Sequence, residues 1–398
     1  MDLESVKNII PVAHRLPELD PDGEFAGITA LTFDAMPRHG KKTMSFAYIG
    51  FPAGASPEQP VPGIVLVHGG RGHAYRHWIR LWNSRGYAAI ALDNTGYFPR
   101  FRNADDDFEW SHGVPPRYND GSYTDTPDND NMASSSGAPE DMWMYHAVCQ
   151  TILAHSLLRA DPRVNGRIGI TGISWGGVIS SLVIGYDDRF AFAVPVYGSG
   201  YLDAAYSEFG RTFSGDATRR LWSAATRFDR VNMPVLWQCW NEDRIFSVNS
   251  NSLSYLATVR NNPHTRLCIR NGMGHSHSEG WAPPEAMLFA DSAVRGTPEL
   301  TGFAVQPSGR VIDAVLTASG DISARLCYID KSMSYTFSYE NGVLVSTLDQ
   351  RWRFAPLSVS GSRVTGEVPP DAAAYYIELT TRAGGVEYVT SSVFVEFI

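Results

Sequence analysis

One serine lies in a pentapeptide that is typical of nucleophilic serines, Gly172-Ile173-Ser174-Trp175-Gly176. A serine hydroxyl attacks a carbonyl only when a base takes its proton and its Oγ is exposed. The stretch RIGIT before the pentapeptide predicts a strand, and VISSLVIGY after it is compatible with a helix. A sharp turn between strand and helix exposes the hydroxyl and needs glycine on both sides, because the backbone there is crowded. The pattern alone would arise in roughly a third of shuffled sequences, so the strand and helix around it carry the prediction.

A second signal is His68-Gly69-Gly70, which follows the apolar run VPGIVLV over residues 61–67. Acyl transfer develops a negative oxygen, and fixed backbone N–H groups stabilise it without reorganising. In a strand-turn-helix site one donor is the residue after the nucleophile, here Trp175, and the other lies in the loop after an earlier strand. We assign the second donor to Gly70, with Gly69 and Arg71 as its neighbours. The sequence therefore predicts an oxyanion hole made by Gly70 and Trp175.

The acid and the base are expected after later strands, in the chain order Ser, acid, His. The strand predicted over residues 234–240 is followed by Glu242 and Asp243, and the strand over residues 266–270 by His275 and His277. Asp243 is the preferred acid and Glu242 its competitor. His275 is preferred over His277 as the base because it lies nearer the strand end.

Candidate substrate contacts are aromatic and polar residues near these strand ends. The aromatic residues among them can stack on sugar rings, although aromatic side chains also fill cores. The candidates are His68, Arg71, Tyr197, Trp240, His277 and Trp281.

Short apolar runs alternate with helix-period segments between residues 42 and 295. Strands are predicted over residues 61–67, 87–92, 167–171, 190–196, 234–240 and 266–270, and helices over residues 75–85 and 139–158. The second helix is expected to be long and amphipathic. Such alternation indicates an α/β fold with a mostly parallel, doubly wound sheet. The strand-like stretches 28–33 and 44–51 are expected to add an antiparallel edge to it.

Near residue 297 the sequence pattern changes from alternating strands and helices to short strands alone. Short alternating stretches separated by turn residues fill residues 298–398 and predict an antiparallel β-sandwich domain, so residues 1–297 are assigned to the catalytic domain. Within that domain, residues 198–232 are expected to form a lid. Residues 101–140 form an acidic loop without periodicity, for which a solvated functional loop and a calcium site are the two interpretations.

Composition excludes several classes of protein. The 398 residues carry a net charge of −9, which argues against nucleic-acid binding through phosphate neutralisation. No apolar run is long enough to span a bilayer, so no membrane partner is expected. The four cysteines are widely spaced, and no metal or cofactor motif is present. The N-terminal residues have no signal-peptide pattern, which leaves a cytoplasmic protein, or a periplasmic or secreted one if the sequence starts at a mature N-terminus.

The chain resembles the α/β-hydrolase superfamily, and more narrowly its acetyl xylan esterase-like branch, which is related to the dienelactone hydrolases. The resemblance lies in VLVHGG, in EDMWMYHAVCQTILAHSLLRADPRVNGRIGITGISWGG, in MPVLWQCWNEDR and in RLCIRNGMGHSHSEGW. It implies an α/β-hydrolase fold and a Ser-His-Asp triad that maps onto Ser174, Asp243 and His275. We therefore expect a serine esterase that forms an acyl-enzyme on a small-molecule or oligosaccharide ester, with no cofactor.

Two other functions remain open. One is a peptidase of the prolyl-oligopeptidase type, although the residues before position 61 are too few for the β-propeller that usually accompanies it. The other is a carbohydrate-binding protein on an inactive hydrolase scaffold. A homo-oligomer is also left open.

Overall fold

The computed structural model describes residues 2–70, 72–96, 137–331, 335–340, 343–348 and 351–397. The chain divides into two compact units. The first contains residues Met1–Gly198 and Asp216–Met233, and the second contains Ser199–Gly215 and Pro234–Ile398. The predicted acidic loop falls mostly on residues 97–136, which lie outside the described residues, and so does the calcium interpretation.

The first unit contains a mixed sheet whose strands, within the described residues, are β1 (Ala13–Arg15), β2 (Thr29–Arg38), β3 (Lys41–Gly50), β4 (Val61–Val67), β5 (Ala88–Leu92), β6 (Val164–Ile173) and β7 (Phe192–Val196). Their order is β1-β2-β3-β5-β4-β6-β7. Strand β4 pairs in parallel with β5 and β6, and β6 pairs in parallel with β7. Strands β1, β2 and β3 pair antiparallel, which confirms the predicted antiparallel edge. Strand β4 is buried from its second residue onward, as expected for a central parallel strand.

The helices of the described residues are α1 (Arg76–Ser84), α2 (Trp143–Ala160), α3 (Trp175–Val183), α4 (Glu208–Phe213), α5 (Asp216–Trp222), α6 (Val248–Val259), α7 (His277–Trp281) and α8 (Glu285–Arg295). Helix α2 begins four residues later than predicted, because Pro139–Asp141 forms a 3₁₀ turn. Its predicted amphipathic character is wrong: all but three of its residues are buried. A helix that is apolar on nearly every side packs inside the fold. Within the described part of the chain, no helix is long and apolar enough to cross a membrane.

The second unit contains a parallel pair and an antiparallel domain. The pair is β8 (Leu236–Trp240) with β9 (Arg266–Arg270). The later strands are β10 (Phe303–Val305), β11 (Val311–Leu316), β12 (Asp321–Ile329), β13 (Tyr335–Glu340), β14 (Val343–Leu348), β15 (Arg353–Ser360), β16 (Arg363–Glu367), β17 (Ala374–Ala383), β18 (Val386–Ser391) and β19 (Val395–Glu396). All of their pairings are antiparallel, which confirms the antiparallel C-terminal domain.

Strand β15 joins the two halves of that domain. Its first residues pair with β12 and its last residues with β16, so the two layers are halves of one sheet with the order β10-β11-β16-β15-β12-β17-β18. Both halves contribute to a single apolar core, which includes Ile312 and Leu316 from one half and Leu326 and Ile377 from the other. The curved sheet therefore encloses an apolar core between its two halves, as two separate sheets do in a β-sandwich.

Residues on both sides of position 297 share the second unit. Ser391 Oγ accepts the amide of Ile269 at 2.8 Å, and the amide of Val389 donates to Glu285 Oε1 at 2.6 Å. The compact unit thus includes β8, β9 and the antiparallel domain together. The domain boundary predicted at residue 297 stays a prediction.

The segment predicted as a lid, residues 198–232, divides between the units at Gly215. Its first part is hydrogen-bonded to the serine-rich helix α6. The amide of Gly200 donates to Ser254 Oγ at 3.0 Å, and the amide of Tyr206 donates to Ser247 Oγ at 2.9 Å. Helix α6 also binds this part through Asn249, whose Nδ2 donates to the carbonyl of Ala204 at 2.7 Å.

These hydrogen bonds should protect the backbone amides in the first part of the segment from hydrogen exchange. We expect the amides of Gly200 and Tyr206 to exchange slowly with deuterium, because each must first break a hydrogen bond, which is buried at Gly200 and partly buried at Tyr206. Ser254→Ala should speed exchange at Gly200 and leave Tyr206 nearly unchanged. Hydrogen exchange followed by mass spectrometry measures both, with the exposed stretch Ser214–Gly215 as the fast internal reference. Fast exchange throughout residues 199–206 would show that this part is mobile.

Candidate active site

Ser174 lies at a strained turn between β6 and α3. Its backbone has φ 58° and ψ −120°, a conformation that side-chain-bearing residues adopt rarely and at an energetic cost. The turn is held on both sides: the amide of Ser174 donates to the carbonyl of Val196 at 2.9 Å, and its own carbonyl accepts the amide of Val178 at 3.0 Å. The predicted strand-turn-helix is present around this serine.

The glycines beside Ser174 permit a close approach of three backbone segments. A Cβ on Gly176 would overlap the carbonyl oxygens of Val67 and His68, at the end of β4. A Cβ on Gly172 would overlap the carbonyl of Gly176. The first turn of α3 therefore packs directly against the end of the neighbouring strand, and only glycine fits at these two positions.

The two residues predicted as oxyanion donors adjoin each other. A Cβ on Gly70 would lie 3.1 Å from Cδ1 of Trp175, so the loop after β4 contacts the first residue of α3. The first amides of a helix have no partners within it and carry the positive end of the helix dipole. This arrangement can stabilise a developing negative charge next to Ser174.

His68 is buried within the loop that carries Gly70. It is 1% exposed, its Nε2 accepts the amide of Asn94 at 3.1 Å, and its Nδ1 donates to the carbonyl of Gly69 at 2.7 Å. Burial lowers the pKa of the ring despite the nearby Asp93 carboxylate, so the imidazole is neutral. The structure places His68 where its hydrogen bonds orient the Gly69–Gly70 backbone, and its predicted contact with substrate stays a prediction.

Two residues that support this loop were missed in the sequence. Asn94 Nδ2 donates to the carbonyl of His68 at 2.9 Å, and the indole of Trp143 donates to the carbonyl of Asn94 at 2.7 Å. Trp143 also packs edge-on against Trp175, with ring centroids 5.8 Å apart. Asn94 follows an apolar strand, β5, as Asp243 follows β8, so the same strand-end signal could have identified it.

The structure brings Asp243 and His275 together. Asp243 is 1% exposed, and its Oδ1 accepts the amides of Ile245 and Phe246 at 2.8 and 2.9 Å. Its Oδ2 lies 2.7 Å from Nδ1 of His275. The ring of Phe246 lies parallel to that of His275, with centroids 5.9 Å apart. The imidazole is thus fixed in orientation, and Nε2 is the ring nitrogen that can act as base.

The environment of His275 favours its protonated form. Burial is the largest influence and opposes protonation, but the charge and hydrogen bond of Asp243, with a further contribution from Glu279, outweigh it, so the pKa lies above the ordinary histidine value. Glu279 is positioned by Ser276, whose Oγ accepts its amide at 3.2 Å. The spacing Ser276-x-x-Glu279 is that of a helix capping box, a signal readable in the sequence but missed.

Glu242 and His277, the alternatives to Asp243 and His275, and the remaining predicted substrate contacts differ in how far they are buried. Glu242 is exposed, whereas Asp243 beside it is buried. His277 is the first residue of α7, and its ring lies 6.4 Å from that of Trp281 in the same helix. Tyr197 and Trp281 are buried, and Trp240 is half-buried at the end of β8. Arg71 lies outside the described residues.

The antiparallel domain supports the loop that carries Asp243. Trp352, just before β15, donates its indole N–H to the carbonyl of Asn241 at 3.0 Å. The amide of Asn241 donates to the carbonyl of Arg270 at 3.1 Å, and its side chain donates to Asn271 Oδ1 at 3.2 Å. Asn241 therefore links Trp352, the acid loop and the loop that leads to His275.

The substitution Trp352→Phe is expected to disturb the loop that carries Asp243 and to lower the stability of the protein. The change keeps an aromatic ring but removes the indole N–H that donates to Asn241, leaving a buried carbonyl unsatisfied at a cost of about 1–3 kcal/mol. The melting temperature should fall, and kcat should fall with little change in KM. Thermal unfolding and steady-state kinetics measure the two effects.

Trp237→Phe is the matched control. Its indole donates to Thr258 Oγ1 at 2.9 Å within the core, so a similar loss of stability is expected without the loss in kcat. Equal kcat values for the two variants would contradict a role of Trp352 in positioning Asp243.

Comparison with known proteins agrees with the architecture. The family model for the dienelactone hydrolase family matches residues 47–285. The acetyl xylan esterase 1 of a Thermoanaerobacterium species is 15% identical with a TM-score of 0.50, over 74% of this chain and 91% of that one. An acetyl xylan esterase from a Paenibacillus species is 18% identical with a TM-score of 0.48, over 69% and 87%.

The acylaminoacyl peptidase of Pyrococcus horikoshii is also similar. It is 18% identical with a TM-score of 0.45, over 68% of this chain and 41% of that one. No curated protein sequence matches the chain. At 15% identity the Thermoanaerobacterium structure, with its TM-score of 0.50, shows a shared fold alone. The family model spans more than half of the chain, so this protein has the α/β-hydrolase fold and belongs to the dienelactone hydrolase family.

Proposed function

We propose that the chain is a serine ester hydrolase in which Ser174, Asp243 and His275 act as one catalytic triad. The observation that carries the proposal is the 2.7 Å contact between Asp243 Oδ2 and His275 Nδ1. A carboxylate on Nδ1 fixes the tautomer whose Nε2 accepts a proton, and it stabilises the imidazolium that forms. The strained turn at Ser174 supports the role of this serine as the nucleophile.

The reaction is built from these roles. His275 Nε2 takes the proton of Ser174 Oγ, which attacks the ester carbonyl and forms a tetrahedral intermediate. The amides of Gly70 and Trp175 receive its negative oxygen. His275 then gives the proton to the leaving alcohol, and an acyl-enzyme remains on Ser174. His275 Nε2 next takes a proton from water, whose oxygen attacks the acyl carbonyl. The second tetrahedral intermediate expels Ser174 Oγ, which takes this proton back from His275, and the carboxylic acid is released.

The proposed substrates are esters of short acyl groups, above all acetylated carbohydrates. A lactone is a cyclic ester, so ester hydrolysis is the chemistry that the family's description names. The solved structure with a TM-score of 0.50 is described as an acetyl xylan esterase. Among the sequence-predicted aromatic contacts, Trp240 is half-buried rather than buried, which suits a side chain that meets a sugar ring.

Ser174→Ala tests the nucleophile. Without its hydroxyl the acyl-enzyme cannot form, and the rate should fall at least about a thousandfold. Hydrolysis of p-nitrophenyl acetate and acetate release from acetylated xylan measure it. Ser84→Ala, at an exposed serine of α1, should hydrolyse like the wild type. An inert wild type, a Ser174→Ala variant that retains activity, or preferential cleavage of an N-acetylated peptide amide would contradict the proposal.

The pH dependence tests the base. His275 must be neutral to accept the proton, and its raised pKa places the acid limb of kcat/KM above the pH at which an ordinary histidine titrates. Glu279→Gln removes one group that raises this pKa, so the limb should move to lower pH while the rate at high pH stays similar. Rates measured from about pH 5 to pH 9 locate the limb.

Glu242→Gln is the matched control, since Glu242 lies beside Asp243 in sequence but is not among the groups that raise the pKa of His275. Its acid limb should coincide with that of the wild type. A shift of equal size in both variants would indicate a general charge effect rather than titration of His275.

A further inference from the structure

A cleft lies within the second unit, between the antiparallel domain and the end of β9. Its volume is about 570 Å³, which falls in the range of small-molecule sites. The side chains that matter are Arg325 on β12, Phe354 on β15, Glu378 and Thr380 on β17, and Arg270 and Asn271 at the end of β9. We call this set the β-domain cleft.

Strand alternation puts these side chains on one surface. Arg325 is paired in register with Glu378 and, on its other side, with Pro356. Their neighbours Leu326 and Ile377 belong to the apolar core. Because successive side chains of a strand point to opposite faces, the cleft occupies the face that the core does not use.

The two arginines of the cleft are already neutralised. Arg325 Nη2 lies 2.7 Å from Glu378 Oε1, and Arg270 pairs with the buried carboxylate of Glu285. An anion would have to compete with these carboxylates for the guanidinium groups. The cleft thus offers donors and acceptors side by side with no excess of positive charge, which suits a neutral ligand that has both.

The guanidinium group of Arg325 lines the cleft and is accessible from it. Its side chain is 40% exposed, although Nη2 pairs with Glu378. A guanidinium group carries five N–H donors, so a ligand oxygen can accept from an exposed one without displacing Glu378.

The aromatic ring beside Arg325 is exposed. Phe354 is 43% exposed, and the guanidinium carbon of Arg325 lies 4.7 Å from its ring centroid. The contact with Arg325 and the strand backbone hold the ring in place before any ligand binds. A sugar ring has an apolar C–H face that stacks on such a surface and hydroxyl groups at its edge that both donate and accept.

We propose that the β-domain cleft binds a neutral oligosaccharide, with one sugar ring on Phe354 and its hydroxyl groups on Arg325, Glu378 and Asn271. None of the residues that line this cleft belongs to the proposed triad, and the inference does not depend on the esterase reaction.

Calorimetric titration of the full-length Ser174→Ala protein tests the proposal, because no substrate is turned over. The probes are xylohexaose, cellohexaose and mannohexaose, with sodium sulfate and sodium glucuronate as anionic probes. At least one neutral hexaose should bind. Phe354→Ala and Arg325→Leu, each added to Ser174→Ala, should weaken that binding at least about tenfold.

Arg363→Leu is the matched control for Arg325→Leu. Arg363 forms an ion pair with Asp313 across β16 and β11, on the other half of the same sheet, and its loss should leave hexaose affinity unchanged. Phe354→Leu, which keeps an apolar side chain without the flat ring, should also weaken binding. Melting temperatures of all variants establish that they are folded.

Three results would overturn the proposal. The first is that none of the three hexaoses binds. The second is that sulfate or glucuronate binds at the cleft more tightly than the neutral sugars. The third is that a hexaose binds equally well to folded Phe354→Ala and Arg325→Leu proteins, since the sugar would then occupy another site.

Discussion

The close approach of helix α3 to the end of β4 is the constraint on which the nucleophile region depends. The carbonyls of Val67 and His68 occupy the space where a side chain on Gly176 would be. This contact sets the position of Ser174 at the start of the helix and places Trp175 against Gly70. It also explains why His68 is buried and neutral: its two ring nitrogens hold the backbone on one side of the contact at the position that the helix requires. A strained serine is tolerated because the surrounding backbone leaves it no alternative.

The acid and base depend on a different kind of support. Asp243 is held by amides of its own loop, but that loop is held from outside, by the indole of Trp352 and by the backbone and side chain of Asn241. The antiparallel domain therefore helps to hold the loop that carries Asp243, in addition to having an apolar core of its own. Its core faces one side of the curved sheet, and the opposite face carries both Tyr376, which packs on Trp352, and the polar side chains of the β-domain cleft.

Sequence reasoning predicted the features that local pattern determines. Strands β4 and β9 have the bounds that their apolar runs predicted, and the polar residues after β8 and β9 led to Asp243 and His275, which the structure brings together. The features it could not supply depend on distant parts of the chain. Trp352 and Asn241 are 111 residues apart, and nothing near Trp352 indicates its partner. The prediction for helix α2 is wrong because periodicity describes a helix with one wet face, whereas this one is covered almost all round.

The links between β9 and the antiparallel domain have a consequence for the order in which the enzyme assembles during synthesis. Proteins emerge from the ribosome N-terminus first. The contacts described around Ser174 involve residues up to Val196, so they can form while the remainder is still being made. The bonds that hold β9 and the acid loop reach forward by 122 and 111 residues, to Ser391 and Trp352. The nucleophile region is thus available early, whereas the acid and base reach their final positions only after the antiparallel domain has been translated and folded.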